Sequence, residues 1–214
     1  NTGGPAEPDP RCLLGNAPGL MRWRASQWTA EMRLQILSDL HLETEDFDPA
    51  PAPGADLLVL AGDIDTRWAG LERFRDWPVP VIYVAGNHEF EGRDVDTTWI
   101  ALREHAESLG FTMLERQSCV VRAPDGRRIR FLGTVRWCDF DLFGEAQRER
   151  AMRAGTYFMK VMHAKRGGER FDAPAVREEA LACRAWLADA LQQDEGADTT
   201  VVITHFAPSL RSAD

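Results

Sequence analysis

The chain has no apolar run near the roughly 18 residues that a membrane-spanning helix needs. The basic stretch Met21-Arg22-Trp23-Arg24 is not followed by an apolar core of signal-peptide length. Excess positive charge is also missing. The net charge is -9, whereas a general nucleic-acid binder needs a basic surface. Cysteine is scarce: Cys12, Cys119, Cys138 and Cys183 show neither CxxC nor zinc-finger spacing. That excludes a dense disulfide framework and leads us to expect reduced thiols in a cytoplasmic protein. The first strand-like run is followed by Asp-Leu-His and not by a glycine-rich phosphate loop, which disfavours a nucleotide-binding α/β domain of that type. Internal repeats are absent.

What remains is ordinary for a globular domain: 214 residues, 44% hydrophobic and 28% charged. Residues 1–31 are rich in Pro and Gly and carry no periodicity. They read as a disordered or non-native extension, with Met32 as the natural start and 32–214 as one domain.

Along that domain, apolar runs alternate with helical patterns. Arg33 to Ser38, Asp56 to Ala61 and Val79 to Ala85 read as buried strands. Between them, 43–54 is an acidic, proline-bearing loop, and Thr66 is a candidate cap for a short helix ending near Trp77. This rhythm predicts parallel strands covered by helices. A helix is expected from Thr97 to Leu109, with Trp99, Leu102, Ala106 and Leu109 on one face and Gly110 closing it. Three short strands follow, near 111–114, 119–123 and 129–133, with Pro124-Asp125-Gly126 as a turn. Lacking intervening helices, they predict a second, antiparallel section of sheet. Helices are expected over 145–165 and 175–193, the latter with a stripe of Val176, Ala180, Cys183, Leu187 and Leu191. Thr199 to Thr204 is the last strand.

Four motifs sit at strand ends: Asp39-Leu40-His41, Gly62-Asp63, Gly86-Asn87-His88-Glu89 and Thr204-His205. Singly, each is an ordinary turn or cap sequence. Together they gather carboxylate, imidazole and amide oxygen at the place where open α/β sheets bind ligands. In extended chain, side chains at i and i+2 point the same way, so Asp39 and His41 can reach one ion. Asp63 has two oxygens and can bridge to a second ion, to which Asn87 and His205 offer further donors. His88 is better placed to donate a proton. Such N/O donors accept Mn, Fe, Zn or Ni.

The order DLH (39–41), GD (62–63), GNHE (86–89) and H (205) resembles the calcineurin-like metallophosphoesterases. Phe131-Leu132-Gly133-Thr134 and the stretch from Trp137 to Gly144 also resemble a bacterial predicted-phosphohydrolase branch of that family. The resemblance spans residues 33–208. It implies an α/β fold, a two-sheet sandwich flanked by helices in four αββα layers. It implies two divalent metal ions, with Asp39, His41 and Asp63 at one and Asp63, Asn87 and His205 at the other. It implies hydrolysis of a phosphate mono- or diester, a small-molecule or nucleotide ester, by a metal-bridged hydroxide, with Asn87 and His88 at the substrate, His88 as general acid and Glu89 orienting the His88 segment.

Two departures from the family pattern are visible. The second acid of a GDxxD pattern is shifted, with Asp65 following Ile64. The closing Gly-His-x-His motif does not occur. Truncation before that motif is therefore expected, with the C-terminal part of the fold missing. A catalytically impaired relative acting as a binding or scaffold module is the alternative.

Other polar residues read differently. His105 is expected on the surface and His163 in a solvated basic stretch, with substrate contact by His163 or Arg136 as a secondary possibility. Trp137 is expected to pack at the surface. Asp139 and Asp141 belong to a loop folding back on the sheet, and Cys138 and Cys183 are small buried residues without a histidine partner. Substrate choice is expected to lie in loops 43–54, 90–96 and 136–172.

Overall fold

The computed structural model describes residues 31–193, 195–209 and 211. Residues 1–30 of the expected N-terminal extension lie outside them. The first sheet holds four parallel strands in the order β1 (Leu34–Leu37), β2 (Leu57–Ala61), β3 (Val81–Val84) and β4 (Thr112–Met113). Every residue of β2 and β3 is buried, as strands covered on both faces must be. The second sheet has the order β5 (Gln117–Arg122), β6 (Arg128–Thr134) and β9 (Thr199–Thr204). Strand β5 runs antiparallel to β6, and β9 runs parallel to it.

The sheets face each other across one apolar layer. Leu57, Val59, Ile82 and Val84 of the first sheet meet Cys119, Val121, Ile129, Phe131 and Ile203 of the second. The alternate residues Leu58, Leu60 and Tyr83 join a second core with Leu102 and Ala106 of α1 (Val95–Ser108) and Val176, Ala180 and Cys183 of α3 (Ala173–Gln192). This is the expected sandwich with helices outside. Helix α2 (Glu145–Met162) is more exposed, with Met162 its buried residue. Ala151, Met152 and Met159 lean on the core, and a side chain at Gly155 would collide with the Phe140 ring.

Several expectations need correction. The strand near 111–114 does not join the antiparallel section: β4 pairs in parallel with β3, because α1 has already made the crossover. The second sheet is mixed rather than antiparallel, since β9 returns through α3. Thr66 caps nothing. The short 3-10 helix Ala69–Phe74 has Trp68 at its N-cap, with no side-chain cap bond. The Asp65 carboxylate accepts the N–H groups of Arg67 and Gly70 at 2.6 and 2.7 Å instead. The shifted acid thus builds a turn. Leu191 lies 50% exposed, and Ala190 is buried at that end of α3. Trp137 is 3% exposed and packs against Phe90, Phe171 and Phe206. His105 is half-buried and stacked on Trp68. The hairpin of β7 (Lys165–Arg166) and β8 (Glu169–Arg170), turned by two glycines, replaces the end of the expected 145–165 helix.

Among the described residues, no helix is long and apolar enough to cross a membrane. An open groove lined by Met32, Leu34, Ile129, Phe131, Thr199 and Val201 lies at the strand starts, away from the strand ends where the polar motifs gather.

Candidate metal centre

Three parallel turns carry the motifs past the ends of β1, β2 and β3, and His205 follows β9 directly. The first turn is hydrogen-bonded to the second: Asp39 N–H to Gly62 O at 3.0 Å, His41 N–H to Asp63 O at 3.1 Å and Leu42 N–H to Ile64 O at 3.0 Å. Asp39, His41 and Asp63 all adopt positive φ, at 53°, 44° and 53°. Such backbone is uncommon outside glycine and concentrates at functional sites. The i, i+2 argument from extended chain therefore fails at Asp39 and His41, where the backbone is coiled left-handed.

Two donor groups result, and they share Asp63. One is Asp39, Asp63 and His205; the other is His41, Asp63 and His88. Within each, one ligand atom per residue lies within 4.8 Å of the others. Asp63 Oδ2 stands 3.4 Å from His205 Nε2 and 3.9 Å from both His41 Nε2 and His88 Nε2. The resemblance pairs the same residues differently, with Asp39 and His41 at one ion, Asn87 and His205 at the other, and Asp63 common to both. Asn87 immediately precedes His88, whose N–H donates to Asp63 Oδ1 at 2.9 Å. Its amide nitrogen faces Met162 Sδ at 3.7 Å. The end of α2 thereby touches the turn that carries Asn87.

Close approach of the turns explains two glycines. A Cβ at Gly86 would lie 2.1 Å from Asp63 Oδ1 and 2.6 Å from Asp63 N. A Cβ at Gly62 would lie 2.5 Å from His205 Nδ1 and 2.7 Å from Gly86 Cα. No side chain fits either place.

Two carboxylates behind the histidines, Glu43 and Glu91, lie outside the motifs, and a third, Glu89, closes the GNHE motif. Glu43 lies 3.3 Å from His41 Nδ1 and also accepts Thr66 N–H. Glu91 lies 3.2 Å from His88 Nδ1. A carboxylate behind one ring nitrogen fixes the tautomer and aims the other, here toward Asp63. Glu89 is fully buried. Its own burial, with the charge of Asp63, raises its carboxyl above the usual range.

Arg136 commits its guanidinium to Asp139 and the Trp137 carbonyl, and His163 is an exposed residue ending α2. The structure brings neither into the donor groups. Asp139 and Asp141 pair with Arg136, Arg148, Arg177 and Arg184, as expected of a folded-back loop. Burial pushes the Cys138 thiol up, and the Cys183 thiol to about 11, so neither is a ready nucleophile.

The donor chemistry fits divalent cations: two imidazole–carboxylate clusters that share one carboxylate. Burial works to raise the Asp63 carboxyl, but its hydrogen bond and charge interaction with His205 and the His88 N–H outweigh this and hold it low. His205 shows the converse. Burial works to lower it, but the bond to Asp63, the Asp63 charge and the Ala61 carbonyl lift it from 6.5 to about 9. A raised cationic pKa stabilises the fold fully below the unfolded value and ceases to do so as pH rises through the folded one. In chelator-treated protein, stability is therefore expected to fall between 6.5 and about 9. Denaturant midpoints across that window check it, and His205→Gln should flatten the fall.

The sequence matches the calcineurin-like phosphoesterase family over residues 32–214. The chain therefore belongs to that family, whose chemistry is phosphoester hydrolysis. Among solved structures, the phosphopantetheinyl hydrolase of Mycobacterium tuberculosis has the same fold. It aligns with a TM-score of 0.62 at 21% identity, over 83% of this chain and 69% of that one. No curated protein matches the chain.

Proposed function

We propose that the protein is a metal-dependent phosphoesterase that hydrolyses a small-molecule or nucleotide phosphate ester at Asp63. The observation that carries this reading is the position of Asp63, common to both donor groups. Asp39 and His205 complete one site and His41 the other, with the Asn87 amide as a further donor. Two divalent cations held there would neutralise phosphate charge and supply a water-derived nucleophile at neutral pH.

The side chains have distinct tasks. Asp63 would serve both sites, its Oδ1 anchored by His88 N–H. His88 presents Nε2 to the site while Glu91 holds Nδ1, so the ring can give its proton to the leaving oxygen as general acid. Glu43 orients His41 in the same way. Asn87 contributes to substrate through its amide.

The test is hydrolysis of nitrophenyl phosphate, bis-nitrophenyl phosphate, a nucleotide and a phosphopantetheinyl diester, with Mn²⁺ or chelator. The last ester carries the group on which the structurally similar hydrolase is named to act. Mn²⁺-dependent turnover of at least one ester is expected. Equal rates with Mn²⁺ and chelator on all of them would remove the proposal.

A further inference from the structure

We infer that Glu89 is a positioning residue for the cation sites: its buried carboxylate ties the turn carrying Asp63 to the turn carrying Asn87 and His88. The inference rests on the two-cation reading of Asp63. Glu89 is 0% exposed. Its Oε2 accepts Asp63 N–H at 3.2 Å and Gly86 N–H at 2.9 Å, and its Oε1 accepts Ile64 N–H at 2.9 Å. Three backbone donors from two turns thus converge on one side chain. The lacing runs in both directions, because Asp63 Oδ1 accepts His88 N–H in return. The Glu89 carbonyl is held as well, by Trp68 Nε1–H at 3.0 Å.

A buried carboxylate is an expensive way to fill space. What it supplies here is acceptors for donors that a strained turn exposes. Asp63 holds φ at 53°, a conformation that persists only where its surroundings enforce it. Since Asp63 belongs to both donor groups, loosening that turn moves both sites together. Glu89 reaches Asp63 through its backbone N–H and not through its carboxylate.

Glu89→Gln keeps the shape but turns one acceptor oxygen into an N–H₂ that faces a backbone N–H. Glu89→Asp keeps both acceptors one methylene further back. Val176→Ala in α3 serves as a control that loses core packing away from the site. The measurement is Mn²⁺ titration by calorimetry, with thermal unfolding and amide exchange at Asp63, Ile64 and Gly86. Glu89→Gln is expected to fold, to bind Mn²⁺ about 10–100-fold more weakly, as loss of a supporting partner does, and to exchange those amides faster. Glu89→Asp should fall between it and the wild type, and Val176→Ala should keep wild-type affinity. A folded Glu89→Gln with wild-type affinity overturns the role. So does equal weakening in Val176→Ala, which would mark a general stability effect. If Glu89→Gln does not fold, Glu89→Asp decides by the same affinity criterion. Failure of the wild type to bind Mn²⁺ is a separate result, and it overturns the two-cation reading together with this role.

Discussion

Asp63→Asn is expected to abolish tight binding at both cation sites and to lower ester hydrolysis by at least ~10²–10³-fold, the loss seen when one preorganised electrostatic partner is removed. Asp63 alone belongs to both donor groups, with Oδ2 directed to three imidazoles and Oδ1 to the His88 N–H. Asparagine is a mild change for the fold. It tolerates left-handed backbone, so the positive φ at this position is not an obstacle, and its amide oxygen can still accept one N–H. What it loses is the charge and the second acceptor oxygen. Mn²⁺ calorimetry and turnover measured on the same preparation check the prediction. A folded Asp63→Asn that keeps tight binding, or activity close to wild type, would contradict it.

His88→Ala is expected to lower turnover on the order of 10²–10⁴-fold while leaving the number of bound ions unchanged. The geometry permits two roles, because His88 Nε2 belongs to a donor group while Nδ1 is held by Glu91. The two roles separate by leaving group. A proton donor matters most when the leaving alkoxide is basic, so an alkyl ester should suffer more than a nitrophenyl ester. A ligand would instead take an ion with it and affect both esters alike. Loss of one Mn²⁺ per chain in His88→Ala would reassign the residue.

The strands at Leu34–Leu37, Leu57–Ala61 and Val81–Val84 were legible because continuous apolar runs of that length have few other uses. The polar residues behind them were legible for the same reason, since Asp39, Asp63, Asn87 and His205 each fall just past such a run. Pairing partners were not. Strand β4 carries no mark in its sequence that it follows β3 in parallel rather than opening the second sheet, and only the path of α1 decides that. The backbone of the first turn was also hidden. Alternation of side chains holds in extended backbone, and Asp39 and His41 lie in left-handed turns that no local pattern announces. Glu43 and Glu91 act through hydrogen bonds set by tertiary contact, so their spacing from the histidines offered only a weak signal, and the bonds from Glu89 to the Asp63 turn are of the same kind. Trp137 and His105 show the same limit, since flanking polar residues concealed their burial against other aromatic rings.

The bridging role proposed for Asp63 is tested most directly by electron paramagnetic resonance of the Mn²⁺-loaded protein, read with the metal content of the same sample. A spin-coupled pair at about two ions per chain, lost in Asp63→Asn, is the expected result. Isolated, uncoupled ions in the wild type, unchanged in Asp63→Asn, would contradict it.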